Sequence, residues 1–235
     1  MRWFHLKVKD LLYVSVINTI RMNFSYFGWK GIFFPVIVAS KNLKIKKLSG
    51  KVFTKKARIG SIKIGFGSVG IIDEKYRRSL WENTGTITFE GNADLCVGIK
   101  IACHGDLIFG DSCRFNGNSD IICFDKIKFG NNCLVSWECL FMDTDFHNIF
   151  DIDTKLKVNE NKPILIDDDV WIGCRSTILK GAHIPCQSVV AACSTVTKRL
   201  MYNNCIYVSN DAKKKNIKWG TFLSEPYMHT SDRLQ

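Results

Sequence analysis

From residue 166 onward, aliphatic side chains recur at every sixth position: Ile166, Ile172, Ile178, Ile184, Val190 and Val196. Four places after each stands a second, mostly small residue: Val170, Ser176, Ala182, Ser188, Ser194 and Leu200. Neither the 3.6-residue period of a helix nor the alternation of a lone strand generates a period of six. The rhythm also runs earlier, through Phe89, Leu95 and Ile101, then Phe109, Phe115 and Ile121, then Phe129, Val135 and Phe141. Steps within a triplet are six and steps between triplets are eight, so "ITFEGN", "LIFGDS" and "IKFGNN" repeat every 20 residues. Three hexads therefore close one unit. The pattern predicts a triangular coil of three short strands, one hexad per side, with the aliphatic residue inward and the small residue at the tight corner. Stacked coils bury a continuous apolar column that no single coil can bury alone.

The rhythm breaks once. Continued past Phe141, it puts Asp145 at a small-residue corner and His147 at an inward aliphatic position. Burying two unpaired ionisable groups there would cost several kcal/mol, so the coil is expected to open. A polar stretch without hexads, residues 148–163, follows, and "ILIDDDVWIG" restores the pattern. A long excursion from a rigid scaffold is often functional. If the segment "DTDFH" is extended, Asp143, Asp145 and His147 share one face. The domain reading is an N-terminal basic helical segment over 1–42, a solenoid over 43–208 with its protruding loop at 148–163, and a C-terminal tail over 209–235.

Charge sharpens the picture at the front end only. The 235-residue chain carries a net +11, and residues 1–58 hold thirteen Lys and Arg against Asp10 alone, a local +12. Arg2, Lys7, Lys9, Arg21 and Lys30 interleave with Trp3, Phe4, Leu11, Leu12, Tyr13, Val16, Ile20, Phe24, Phe27, Trp29, Phe33 and Phe34. That composition suits an amphipathic helix lying on a membrane surface or in a protein groove, or one covering the end of the solenoid. It fits DNA less well. The longest uncharged run there is far short of the roughly 20 residues that span a bilayer.

Ten cysteines form no CxxC and no zinc-spaced cluster, and Cys113, Cys133 and Cys139 fall at small corner positions. They read as reduced, buried fillers. Of the five histidines, His104 and His183 fall at outward repeat positions and His5 and His229 in the terminal segments. No trio converges for a metal, and none is required.

The hexads, with "VWIGCRSTILKGAHIP", "VVAACSTVTK" and "DTDFH", resemble the left-handed parallel β-helix acyltransferases, in particular the polysaccharide O-acetyltransferase branch related to galactoside and maltose acetyltransferases. The resemblance covers residues 45–216 and implies an all-β solenoid, left-handed in its coiling. It implies acetyl transfer from acetyl-CoA to a sugar hydroxyl of a bacterial surface polysaccharide or its lipid-linked precursor. N-acetylation of an amino-sugar nucleotide and a non-catalytic scaffold remain alternatives. Histidine, whose ordinary pKa lies nearest neutrality, suits removal of a hydroxyl proton. The resemblance makes His147 the general base, Asp145 the orienter of its ring, and Asn116 a contact to the acceptor. Asp143, Trp137, Glu138, Arg77 and Trp81 are candidate acceptor contacts. Trp171, Gly173, Cys174, Ala192, Thr197 and Lys198 are expected along coenzyme A, although "AACS" replaces the family's "GAGS". Lys213, Lys214 and Lys215 are further candidates for the phosphates. Asn116 and His147 lie 31 residues apart, one 20-residue coil plus 11, hence on different sides of one prism. Family members are trimers, so a site shared between subunits is expected. The location implied is cytoplasmic, with peripheral contact at the inner membrane face.

Overall fold

The structure is a computed structural model that describes residues 8–67, 69–73 and 75–220. Residues 1–7 and 221–235, with the N-terminal and C-terminal candidates among them, lie outside the described residues.

Two helices, α1 (Val8–Leu11) and α2 (Val16–Phe33), precede a three-sided solenoid. The first coil is β1 (Ile37–Ala39), β2 (Leu43–Leu48) and β3 (Lys51–Thr54); the second is β4 (Ile62–Ile64), β5 (Ser79–Asn83) and β6 (Thr86–Phe89). Then come β7 (Ala93–Leu95), β8 (Lys100–Cys103) and β9 (Asp106–Phe109), and next β10 (Cys113–Phe115), β11 (Asp120–Cys123) and β12 (Lys126–Phe129). The fifth coil holds β13 (Leu134–Val135), β14 (Leu140–Met142) and β15 (Ile164–Ile166), and the sixth β16 (Trp171–Ile172), β17 (Thr177–Leu179) and β18 (His183–Ile184). The stack ends with β19 (Val189–Val190), β20 (Thr195–Val196), β21 (Ile206–Val208) and β22 (Asp211–Lys214).

Up to β20, strands three apart pair in parallel into one of three long sheets; β19 then pairs in parallel with β21, and of the paired strands only β21 and β22 run antiparallel. The expected fold class, a solenoid of hexapeptide coils led by a helix, is the one observed. The first coil begins at Ile37, ahead of residue 43. We call the corner between the β10 and β11 sides edge A, and that between the β11 and β12 sides edge B.

Every aliphatic or aromatic hexad position named above is buried. Phe89, Phe109 and Phe129 stack at 5.0 and 5.5 Å with nearly parallel rings, and Phe115 and Phe141 meet Phe129 edge-on. Register fixes this column, because Phe89 pairs with Phe109 and Phe109 with Phe129 across neighbouring coils. The small positions are buried too, from Val170 and Ser176 to Ser194. Of the ten cysteines, all of them free, Cys113, Cys133 and Cys139 are buried at corners as expected. Burial pushes the Cys139 thiol up to about 12.

Helix α2 caps the open end. Ser15 accepts a hydrogen bond from the Asn18 amide at its start, and Gly28, at φ 63°, kinks it. Its inward face puts Met22, Tyr26 and Phe27 on the core and, beside them, polar groups on the first coil. Buried Asn23 bonds both the carbonyl and the amide of Ile37, the Thr19 hydroxyl accepts from the Ala39 amide, and the Asn18 side chain donates to Leu43. These groups occupy the edge that β1 would otherwise leave unpaired. The apolar residues Val16, Ile17, Ile20 and Phe24 face outward.

Candidate active site

The coil opens where the sequence breaks rhythm. After β14 the chain turns at edge B, where the carboxylate of Asp143 accepts the amides of Phe124 and Asp125 at 2.7 and 2.9 Å. Asp143 is wholly buried, and that burial holds its carboxyl above the ordinary carboxylate range. Both oxygens are used inside the protein. The expectation that Asp143 binds an acceptor is therefore corrected: it pins the previous coil's corner.

The Asp145 carboxylate goes to the Lys180 ammonium and to the Asn159 side-chain amide, 2.9 Å away. Lys180, first, and then Asn159 hold its carboxyl below the ordinary range. It does not face the imidazole, as expected of an orienter, because the lysine on the adjacent coil is a full charge within reach. Asn159 also donates to the His147 carbonyl at 2.7 Å, so the Asp145–Asn159 pair fixes the backbone that carries the base. The His147 amide closes onto the Asp145 carbonyl at 2.7 Å, a γ-turn centred on Phe146 at φ 61°. Positive φ is uncommon for a bulky residue and costs energy. His147 is exposed, and among the described residues its ring has no hydrogen-bond or ion-pair partner.

Beyond it an arm folds back on itself. Phe150 and Lys157 form an antiparallel bridge, the Val158 amide bonds the Ile149 carbonyl, and Asp151 caps the tip through the Thr154 amide and hydroxyl. Ile149, Phe150, Ile152, Leu156 and Val158 are all exposed on this arm.

The other candidates segregate. Asn116 follows β10 at edge A, in register with Ser136 and Gly173, and therefore does not meet His147 within the chain. Trp137, Glu138, Cys174 and Ala192 also lie at edge A; the Glu138 carboxylate is bound by Arg175 at 2.8 Å. Trp171, on the adjoining side, donates to the Ser136 hydroxyl at 3.1 Å and leaves its ring partly exposed. Gly173 is buried, and a Cβ there would come within 2.5 Å of the Ala192 amide nitrogen, so coil stacking itself demands glycine. Thr197 and Lys198 lie instead at edge B, exposed, in the coil after Lys180. Arg77 is exposed in the segment leading to β5. Trp81 is corrected: it is wholly buried within β5, its indole donating to the Tyr26 hydroxyl at 2.8 Å. Lys215 lies 3.4 Å over the Tyr202 ring.

Sequence reasoning missed Lys180 and Asn159. Lys180 stands two places after the inward Ile178 in "ILKGAH", at a turn position that the repeat leaves unspecified, and Asn159 lies where there is no period to count.

No family model matches the chain. Over 96 residues it is 35% identical to a polysialic acid O-acetyltransferase of Escherichia coli O1:K1 / APEC, covering 40% of this chain and 31% of that protein. It is 29% identical to an uncharacterized 24.8 kDa protein in the cps region of Klebsiella pneumoniae, covering 78% and 81% of the two chains. The crystal structure of a polySia-specific acetyltransferase covers 80% of each chain at 22% identity, with a TM-score of 0.46. This chain thus spans less than a third of the Escherichia coli enzyme. The similarity falls in the acetyltransferase branch that the hexads and "DTDFH" resemble.

Proposed function

We propose that the protein transfers an acetyl group from acetyl-CoA to a hydroxyl of a bacterial surface polysaccharide, with His147 as general base. The observation that carries this reading is the break in the solenoid between β14 and β15. Here the fold uses a γ-turn, an Asp145–Lys180 ion pair and Asn159 to present one exposed histidine whose ring is not engaged by its own chain. The similarity to a polysialic acid O-acetyltransferase supports the substrate class. His147 takes the proton of the acceptor hydroxyl as its oxygen attacks the thioester carbonyl; the tetrahedral adduct collapses, the C–S bond breaks, and coenzyme A leaves. Among the edge A candidates, the small side chains of Gly173, Cys174 and Ala192 fit close approach of an extended pantetheine arm.

The site is shared between subunits of a trimer. Edge A carries Asn116, Trp137, Gly173, Cys174 and Ala192, and edge B carries His147, Lys180, Thr197 and Lys198. Only a cleft between edge A of one prism and edge B of the next unites them. The exposed apolar arm supports such a contact. Outward Val16, Ile17, Ile20 and Phe24, set among the basic residues of the front end, support peripheral contact with an anionic membrane at its inner face. Among the described residues no helix is long and apolar enough to cross a membrane.

Acetyl transfer to capsular glycan by His147→Ala is expected to fall roughly 10² to 10⁴-fold. Co-assembly of His147→Ala with Asn116→Ala chains is expected to restore part of the activity, because mixed trimers contain clefts with both residues intact. An unchanged rate in His147→Ala would remove the base; absence of complementation would remove the shared cleft.

A further inference from the structure

Edge B carries a second feature, on the side of His147 toward the helix-capped end. Thr84, His104 and Phe124 occupy the same place in successive coils, since Asn83 pairs with Cys103 and Cys103 with Cys123 immediately before them. The Thr84 hydroxyl meets His104 Nδ1 at 2.7 Å. The His104 ring lies 4.5 Å from that of Phe124, and Phe124 meets Phe146 edge-on at 5.3 Å. Phe146 is the residue before His147. The line spans three coil steps, about 14 Å at ordinary strand spacing, and ends at the proposed base.

These groups are not needed for the core, which the column through Phe109 and Phe129 already fills. Phe124 is 38% and Phe146 58% exposed, and Phe146 keeps its place at a positive φ that the chain would otherwise avoid. A strained residue held with its ring against an exposed neighbour is the kind of outlier from which function is inferred. Flat aromatic faces interleaved with hydroxyl and imidazole groups match the chemistry of sugars, whose C–H faces stack on rings while their hydroxyls seek polar partners.

We propose that edge B is an acceptor track, on which a glycan chain several residues long lies across Thr84, His104, Phe124 and Phe146 and so delivers one of its residues to His147. This rests on the acetyl-transfer reading above and adds that the enzyme selects polymeric acceptors over single repeat units. The track runs toward the end capped by α2, so a chain anchored in a membrane below that helix would rise along it to reach the base.

The test uses the capsular polysaccharide of the source strain, depolymerised and sized from the single repeat unit upward, with the full-length protein and acetyl-CoA. Wild-type kcat/KM is expected to rise with fragment length. Phe124→Ala removes that rise, a loss of roughly tenfold on long fragments that exceeds any loss on the single unit, while the KM for acetyl-CoA holds. Phe124→Tyr retains the rise, and so does Phe53→Ala, an exposed ring within β3 rather than at the corner. A flat length dependence in wild type, or an equal loss on the single unit, overturns the track. If wild type acetylates no fragment, the proposed function fails instead. Calorimetric binding of long fragments to wild type and to Phe124→Ala then judges the track alone, and equal affinities overturn it.

Discussion

Replacing Asp143 separates a structural carboxylate from a substrate ligand. Its two oxygens accept the Phe124 and Asp125 amides at 2.7 and 2.9 Å, and a hydrogen bond to a charged group contributes about 1.5–3 kcal/mol net. Burial has already raised the carboxyl's pKa, which offsets part of that gain. Two bonds at the low end of the range therefore sum to about 3 kcal/mol for Asp143→Ala. For a domain of this size each kcal/mol moves Tm by about 2–4 °C, so a fall of roughly 6–12 °C is expected. Asp143→Asn keeps one acceptor but turns an NH2 toward the other amide, and belongs between wild type and alanine. The assay is thermal melting by circular dichroism, with the KM for acceptor measured well below the transition. The raised folded pKa also fixes a sign. The ionisation contribution favours the folded state below the unfolded value, near ~3.9, and is lost as pH rises through the folded one. A Tm within about 2 °C of wild type, together with a raised KM for glycan, would refute the structural role and return Asp143 to the acceptor.

Two further outcomes follow from the same geometry. Lys180→Met releases the Asp145 carboxylate and with it the arm, so kcat is expected to drop while the KM for acetyl-CoA holds; an unchanged kcat would show that the tether does not position His147. Because Lys180 and Asn159 depress the Asp145 carboxyl, the tether is intact above the ordinary value near ~3.9 and lost as pH falls through the depressed one. Amide protection at residues 146–160, taken relative to intrinsic exchange at each pH, is expected to fall only in that acid window, and loss of protection at higher pH would contradict the pairing. On α2, Ile17→Ser, Ile20→Ser and Phe24→Ser together are expected to abolish sedimentation with phosphatidylserine vesicles without lowering Tm, since the capping bonds of Asn18, Thr19 and Asn23 face the other way. Retained vesicle binding would assign the outward face to another partner.

The column of Phe89, Phe109 and Phe129 was legible because every coil makes the same demand at the same step, and repetition turns weak local preference into a count. Trp81 was misplaced for the converse reason. Residues 65–78 interrupt the count just before β5, so its inward alternation of Ser79, Trp81 and Asn83 had no neighbouring hexad to anchor it. The grouping of Asp143, Asp145 and His147 assumed an extended segment. The chain instead turns at Asp143 and again at Phe146, and one residue faces inward, one a lysine and one solvent. Neither turn has a sequence signal: Phe146 is a residue that rarely takes positive φ.

Spacing did carry the separation of Asn116 from His147 within one chain. A prism with a fixed number of residues per coil converts separation in sequence into position around the perimeter, and 31 residues cannot return to the same edge. Rigid stacking also prevents the two edges from bending toward one another, since each is tied into a sheet of seven or more strands. A single coil stack therefore keeps Asn116 and His147 at separate edges. On the proposed reading a second prism alongside brings its Asn116 to this His147, and the exposed apolar side chains of the arm, placed next to His147, are the surface proposed for that contact.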